Sequence, residues 1–117
     1  MSTANVLGVI ERKQNRFEEA RAWFTRSLEL AMRRDNAEAI GVARHNLGLV
    51  HVEEAETARA SGDRSRALQQ YEEARQAFAY ALDSFSRLGH SPHVDVVRRN
   101  LQRLESSVGE LLGHVTE

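Results

Sequence analysis

The sequence predicts an all-α fold, a run of antiparallel helices with no sheet. Three observations carry this. The 117 residues include one Pro and are rich in Ala, Leu, Glu, Arg and Gln, all good helix formers. No alternating run of β-branched residues is long enough for a strand. The apolar residues recur in steps of three and four. The clearest case lies between Gly62 and Gly89, where Ala67, Tyr71, Ala74, Phe78, Ala81, Phe85 and Leu88 form one unbroken seam. Small Ala alternates with large rings there, so a neighbouring helix can come close at Ala and be gripped at Tyr or Phe.

The first helix spans about residues 2–14, capped by Ser2 or Thr3, with Val6, Leu7, Val9 and Ile10 on its apolar side. Asn15 and Arg16 mark a tight turn. The second helix runs from about Phe17 to Arg34. Phe17, Ala20, Phe24, Leu28 and Ala31 share a face that Trp23 widens, and Arg33 and Arg34 suit the negative C-terminal end. Asp35 and Asn36 supply a turn and a cap. The third helix starts near Ala37 and keeps its period through Ile40, Ala43, Leu47, Val50 and Ala58 to about Ala60. Ser61, Gly62 and Asp63 break it, and Gly89 ends the fourth helix where a left-handed residue belongs. Ser91 as cap, with Pro92 in the first turn, opens the fifth. That helix carries Val94, Val97, Leu101, Leu104, Val108, Leu111 and Val115. Every loop is short, so helices adjacent in sequence are antiparallel, and residues 1–117 form one domain.

The formal net charge is −1, from 16 basic and 17 acidic residues. That balance argues against nucleic acid or an anionic membrane as the main partner. There is no cysteine, which excludes disulfides, thiol chemistry and Cys-based zinc sites. The N-terminal residues lack a signal-peptide layout, and no apolar run approaches a membrane span. A cytoplasmic location is expected. The frequent Ala, and Arg in place of Lys, point to a GC-rich bacterial gene.

The chain repeats itself. Asn5-Val6-Leu7-Gly8 in the first helix matches His45-Asn46-Leu47-Gly48 in the third, and Arg99-Asn100-Leu101 in the fifth is a weaker copy. Ala20, Phe24 and Ser27 in the second helix match Ala67, Tyr71 and Ala74 in the fourth. The unit is a helical hairpin. It resembles the tetratricopeptide repeat, whose pattern pairs Leu-Gly on one helix with small, aromatic and small residues on the next. The resemblance implies five helices stacked as a short right-handed superhelix of about two and a half repeats. These are about 2–34, an extended one at 37–89, and a C-terminal helix at 92–115. It also implies that Gly8 and Gly48 admit the partner helix, that Ala20 and Ala67 sit at the crossings, and that Phe24 and Tyr71 fill the gap between hairpins.

The family period is about 34 residues. Leu47 to Ala67 spans 20 residues, against 13 from Leu7 to Ala20. The third helix is therefore expected to be about two turns longer than the repeat needs. On this register the second half of the fourth helix, from Phe78 to Leu88, exceeds the repeat and pairs with the fifth.

By the resemblance, the first helix of each hairpin lines a concave face. That face would carry Asn5, Val9, Arg12 and Lys13, then Val42, His45, Leu49 and Val52, then Arg99 and Arg103. Mixed apolar and basic, it suits a peptide of some acidic character. Members that hold chaperone C-termini use Asn and Lys at fixed places; Asn46 is present, but Val9 and Val96 stand where Asn and Lys are needed. Arg98, Arg99 and Arg103 form the densest basic patch, explained either by ion pairs with Glu105 and the fourth helix or by an acidic partner.

The remaining polar residues point to no chemistry. His45 and His51 are six apart, not the three or four that places two ligands on one face. His90 and His93 flank Pro92 with only Asp95 nearby. His51, Glu53 and Glu54 do not form HExxH, and no glycine-rich phosphate loop exists. His90, Ser91 and Asp95 read as a helix start. With no acid, base and nucleophile together, the expectation is a non-catalytic interaction module without metal or cofactor, binding a protein or peptide. The open first helix, with Val6 and Ile10 near the start, fits the C-terminal part of a larger regulatory protein. The alternative is a homo-oligomerisation element using the long hairpin 64–115.

Overall fold

A computed structural model describes residues 2–89 and 91–113, Ser91 by its backbone alone. Five helices follow one another: α1 (Thr3–Lys13), α2 (Phe17–Arg33), α3 (Ala37–Ala60), α4 (Arg64–Leu88) and α5 (Ser91–Leu111). No strand occurs among the described residues. The expected helix borders hold closely except at the end of α5, which stops at Leu111, four residues short of the expected end, ahead of Gly113 at φ 69°. Val115 and His90 lie outside the described residues.

The first three loops share one design, three residues with the middle one left-handed: Asn15 at φ 61°, Asp35 at φ 52° and Gly62 at φ 84°. In each, the third residue's N–H reaches back to the carbonyl five residues earlier. Arg16 donates to Glu11, Asn36 to Ala31 and Asp63 to Ala58, which satisfies a carbonyl that the helix end would leave orphaned. Caps then start the helices. Ser2 Oγ accepts from the Asn5 amide, Asn36 Oδ1 from Ala39 and Asp63 Oδ1 from Arg66.

The molecule measures 47 × 30 × 18 Å. A thickness of 18 Å admits two layers of helices about 10 Å apart. α1, α3 and α5 touch in succession in one layer, while α2 packs against α1 and α3, and α4 against α3 and α5. No Cα of α2 comes within 8 Å of a Cα of α4. The odd helices thus form the tighter, inner layer and the even ones splay apart on the outside.

Two clusters make up the core. Ala20, Phe24 and Val50 hold the first hairpin to α3, with Val9, Phe17 and Leu47 packed around them. The larger cluster joins α3, α4 and α5 through Ala55, Ala58, Tyr71, Phe78, Phe85, Val97 and Leu104.

The pairing of α3 with α4 corrects the sequence register. Gly8 lies flat against Phe24, where an added Cβ would sit 2.7 Å from Cδ1. The matching Gly48 faces Phe78, not Tyr71, with Cδ1 2.5 Å from such a Cβ, and Gly41 faces Phe85 in the same way. The counterparts of Ala20, Phe24 and Ser27 are therefore Ala74, Phe78 and Ala81, one heptad later than expected. Leu47 to Ala74 is 27 residues against 13 from Leu7 to Ala20, so fourteen residues are inserted. Seven lie on each side of the loop, about two turns per helix. The extension is the tip of the hairpin, built on Ala55, Ala58, Ala67 and Tyr71. The stretch from Phe78 onward carries the repeat itself. Leu88, at its end, is 41% exposed and leaves the seam. α5 runs along α4 from the His93 ring, stacked 4.4 Å from Phe85, to Leu104 and Val108 beside Leu68 and Tyr71 at the tip.

Candidate functional site

A polar ladder stitches the inner layer together. Asn46 Nδ2 on α3 donates to Asn5 Oδ1 on α1 at 2.6 Å. One unit on, Asn100 Nδ2 on α5 lies 2.8 Å from His45 Nε2 on α3. The two pairs stand at the same places in successive units. Asn5 and His45 are two residues before the unit's Leu; Asn46 and Asn100 are one before. Farther along, Arg12 Nη1 donates to Glu53 Oε2 at 2.6 Å. These bonds cross between helices with side chains fixed at both ends, so they set the spacing and register of the layer.

Three residues that the resemblance places on the binding face are therefore engaged within the fold. Asn5 is 3% exposed, Arg12 is paired and His45 is bonded to Asn100. The His45 ring also packs against Phe78, with centroids 5.5 Å apart. Burial, then the nearby His93 and Arg12 charges, hold its pKa down to about 4. The ring is neutral at pH 7, which leaves Nε2 free to accept from Asn100.

The other predicted residues remain accessible to different degrees. Val9, Val42, Leu49 and Val52 are half-buried, Val9 against the smaller core cluster and the rest against the larger. Lys13, Arg99 and Arg103 are exposed. Among the described residues none of them forms an ion pair, and the expected pairing of the Arg98, Arg99 and Arg103 patch with Glu105 and α4 does not form. The odd-numbered helices thus carry both half-buried aliphatic side chains and exposed cations that pair with no acid among the described residues.

Elsewhere the polar side chains serve structure. Arg21 of α2 pairs with Glu54 of α3, a carboxylate only 9% exposed. His51 Nδ1 lies 3.7 Å from the same carboxylate and 2.8 Å from Gln70 Oε1 on α4. This ties three helices together at the root of the tip. No group of three His, Asp or Glu able to hold a metal ion occurs among the described residues. No helix there is long and apolar enough to cross a membrane.

Sequence reasoning missed one feature. A cleft of about 810 Å³ opens where the starts of α1 and α3 meet the second half of α2, with Leu7, Trp23, Leu30 and Val42 in its wall and Arg26 and Arg34 at its rim. The signal was the small Ala39 of α3, which shares the wall of the cleft with the large Trp23 and Leu30 of α2. The seams of α4 and α5, by contrast, are buried against each other and α3. Among the described residues of the hairpin 64–115, the large exposed apolar side chains are Tyr80, Leu88, Val96 and Leu112.

A family model described as tetratricopeptide repeat matches residues 1–62. No curated protein and no solved structure matches the chain. The matched residues take in the first hairpin, all of α3 and the polar ladder between α1 and α3. Repeats of this family are typically non-catalytic and generally bind protein partners. The stacked hairpins, the Gly-on-Phe contacts and the family match together show that the chain belongs to the tetratricopeptide repeat family.

Proposed function

We propose that the chain is a cytoplasmic protein-interaction module within a larger regulatory protein, and that its inner layer binds an acidic, partly apolar peptide segment. One observation carries the reading. Lys13, Arg99 and Arg103 are exposed without acidic partners among the described residues, on the same odd-numbered helices that carry the half-buried Val9, Leu49 and Val52. A peptide with alternating acidic and aliphatic side chains complements that pattern. The ladder supports the reading, because it fixes α1, α3 and α5 as one rigid platform and lowers the ordering cost of binding.

The test is a titration of the isotope-labelled chain with a synthetic peptide alternating Glu with Leu and Val, followed by NMR. Shifts should concentrate at Val9, Leu49, Val52, Arg99 and Arg103. Arg99→Glu with Arg103→Glu should weaken binding about tenfold at low salt, with the deficit shrinking as salt rises. Shifts confined to the outer faces of α2 and α4, or affinity indifferent to the charge reversal, would sink the reading.

A further inference from the structure

The second unit shows what would close the cleft beside Trp23. Phe24 corresponds to Phe78 and Leu47 to Leu101, each 54 residues on. The same step takes Ala31 to Phe85 and Ala39 to His93. Phe85 lies on Gly41 of α3, and His93 stacks on it with ring centroids 4.4 Å apart. Two rings thus plug the joint of α3, α4 and α5. In the first unit two methyl groups stand at those places, and Ala31 and Ala39 line the cleft of about 810 Å³. The opening follows from a sequence difference between the units. Its volume falls in the range of small-molecule pockets, about 300–1,000 Å³.

The lining defines what fits. Leu7, Trp23, Leu30 and Val42 are half-buried and turn apolar surface to the opening. Trp23, Arg26, Leu30 and Arg34 follow one another in steps of three and four along α2, so apolar and cationic side chains alternate down one wall. Both arginines are exposed, and neither forms an ion pair among the described residues. Glu38, the one acid in the lining, lies 3.6 Å from the His93 ring of α5. The two cations are particular to this unit, since their counterparts are Tyr80 and Leu88. A neutral ligand would leave the arginines unmatched. An inorganic anion would leave Trp23 and Leu30 uncovered.

We propose that the cleft binds a small amphipathic carboxylate, an aliphatic or aryl acid. Its carboxylate pairs with Arg26 or Arg34, where a guanidinium offers two parallel hydrogen bonds. Its apolar body covers Trp23 and Leu30. The charges of this site lie on α2, so it is independent of peptide binding at Lys13, Arg99 and Arg103.

Trp23 is the one tryptophan of the chain, so its fluorescence reports on the cleft. Octanoate titrated into the full chain should shift the Trp23 emission and saturate with a Kd of about 1 mM or tighter, as befits about ten heavy atoms. 1-Octanol and inorganic phosphate, each with half of the chemistry, should bind at least about tenfold more weakly. Arg26→Glu with Arg34→Glu should weaken octanoate about tenfold or more, with the deficit shrinking as salt rises. Arg99→Glu with Arg103→Glu should leave its Kd unchanged. Ala31→Phe with Ala39→His, which copies the plug of the second unit, should abolish the response. Ala39→Phe, a milder plug at a half-buried place, should do the same without lowering the melting temperature by more than about 2 °C. Emission that octanoate leaves unmoved at about ten times the expected Kd overturns the proposal. So does an equal response to 1-octanol, or a response indifferent to both the charge reversal and the plugs. A Trp23 response to the acidic peptide but not to octanoate also overturns it, since the cleft would then take a peptide chain.

Discussion

Replacing Gly48 by Ala tests the register on which the extended hairpin rests. In a helix interior the change gains about 1 kcal/mol of intrinsic propensity, so a solvent-facing glycine would be stabilised by it. Here the new methyl would sit 2.5 Å from Phe78 Cδ1. Phe78 is 0% exposed, so its ring has no room to swing aside. Overpacking costs about 1–3 kcal/mol, and contact this close with a fully buried ring belongs to the upper part of that range, about 2–3 kcal/mol. The balance is a net loss of about 1–2 kcal/mol, or a drop of about 4–8 °C in melting temperature. Phe78→Leu alone also destabilises, by about 1 kcal/mol or more through lost burial, but it opens space for the methyl. The double variant Gly48→Ala with Phe78→Leu should therefore be more stable than the sum of the singles predicts, with a coupling of about 1 kcal/mol or more. Tyr71→Leu should show no such coupling to Gly48→Ala. Urea and thermal denaturation of the parent and the five variants measure these quantities. A Gly48→Ala chain as stable as the parent, or one that couples to Tyr71→Leu instead of Phe78→Leu, would refute the register.

His45 should make stability depend on pH. Burial holds its folded pKa near 4 against 6.5 for the free side chain, so the unfolded chain binds the extra proton first as pH falls. Its contribution is full above pH 6.5 and is lost as pH falls toward 4, by at most about 3 kcal/mol; urea midpoints across that window should fall, and His45→Gln should flatten the slope. Glu54→Gln should cost about 1–2 kcal/mol in urea unfolding, because it strips the countercharge from a partly buried Arg21, and Arg21→Met should recover part of the loss. Asp35→Gly should raise the melting temperature, since Asp35 holds φ 52° and glycine relieves about 0.5–1 kcal/mol of strain there. Gly62→Ala should do the reverse: a Cβ on Gly62 would meet nothing within 4 Å, which isolates the cost of φ 84°.

The helices were readable because their signals are local. Caps at Ser2, Asn36 and Asp63, turn residues at Asn15, Asp35 and Gly62, and apolar periods of three and four all act within a few residues of the chain. The inner-layer residues were readable only through the resemblance, and only in part. Lys13, Arg99 and Arg103 are exposed as expected. Asn5, Arg12 and His45 are not available in the same way, because each finds a partner more than forty residues away. Nothing in the local sequence distinguishes a polar residue facing solvent from one facing Asn46, Glu53 or Asn100. The cleft beside Trp23 belongs to the same class, since its wall is assembled from residues of α1, α2 and α3 that are far apart in the chain.

The sequence alone determined the all-α fold, the hairpin unit and the family, because helix propensity, capping and heptad spacing are properties of contiguous residues. It did not determine which heptad of α4 faces which heptad of α3. Ala67-Tyr71-Ala74 and Ala74-Phe78-Ala81 present the same small-large-small face, and a slip of seven residues keeps every apolar side chain inward. The tertiary structure settles the choice through the three-residue loop at Ser61–Asp63. An antiparallel pair must be symmetric about its loop, and both Gly48–Phe78 and Gly41–Phe85 are centred on Asp63. Only those two glycines of α3 leave room for the rings, and that contact moves the inserted turns to the tip of the hairpin.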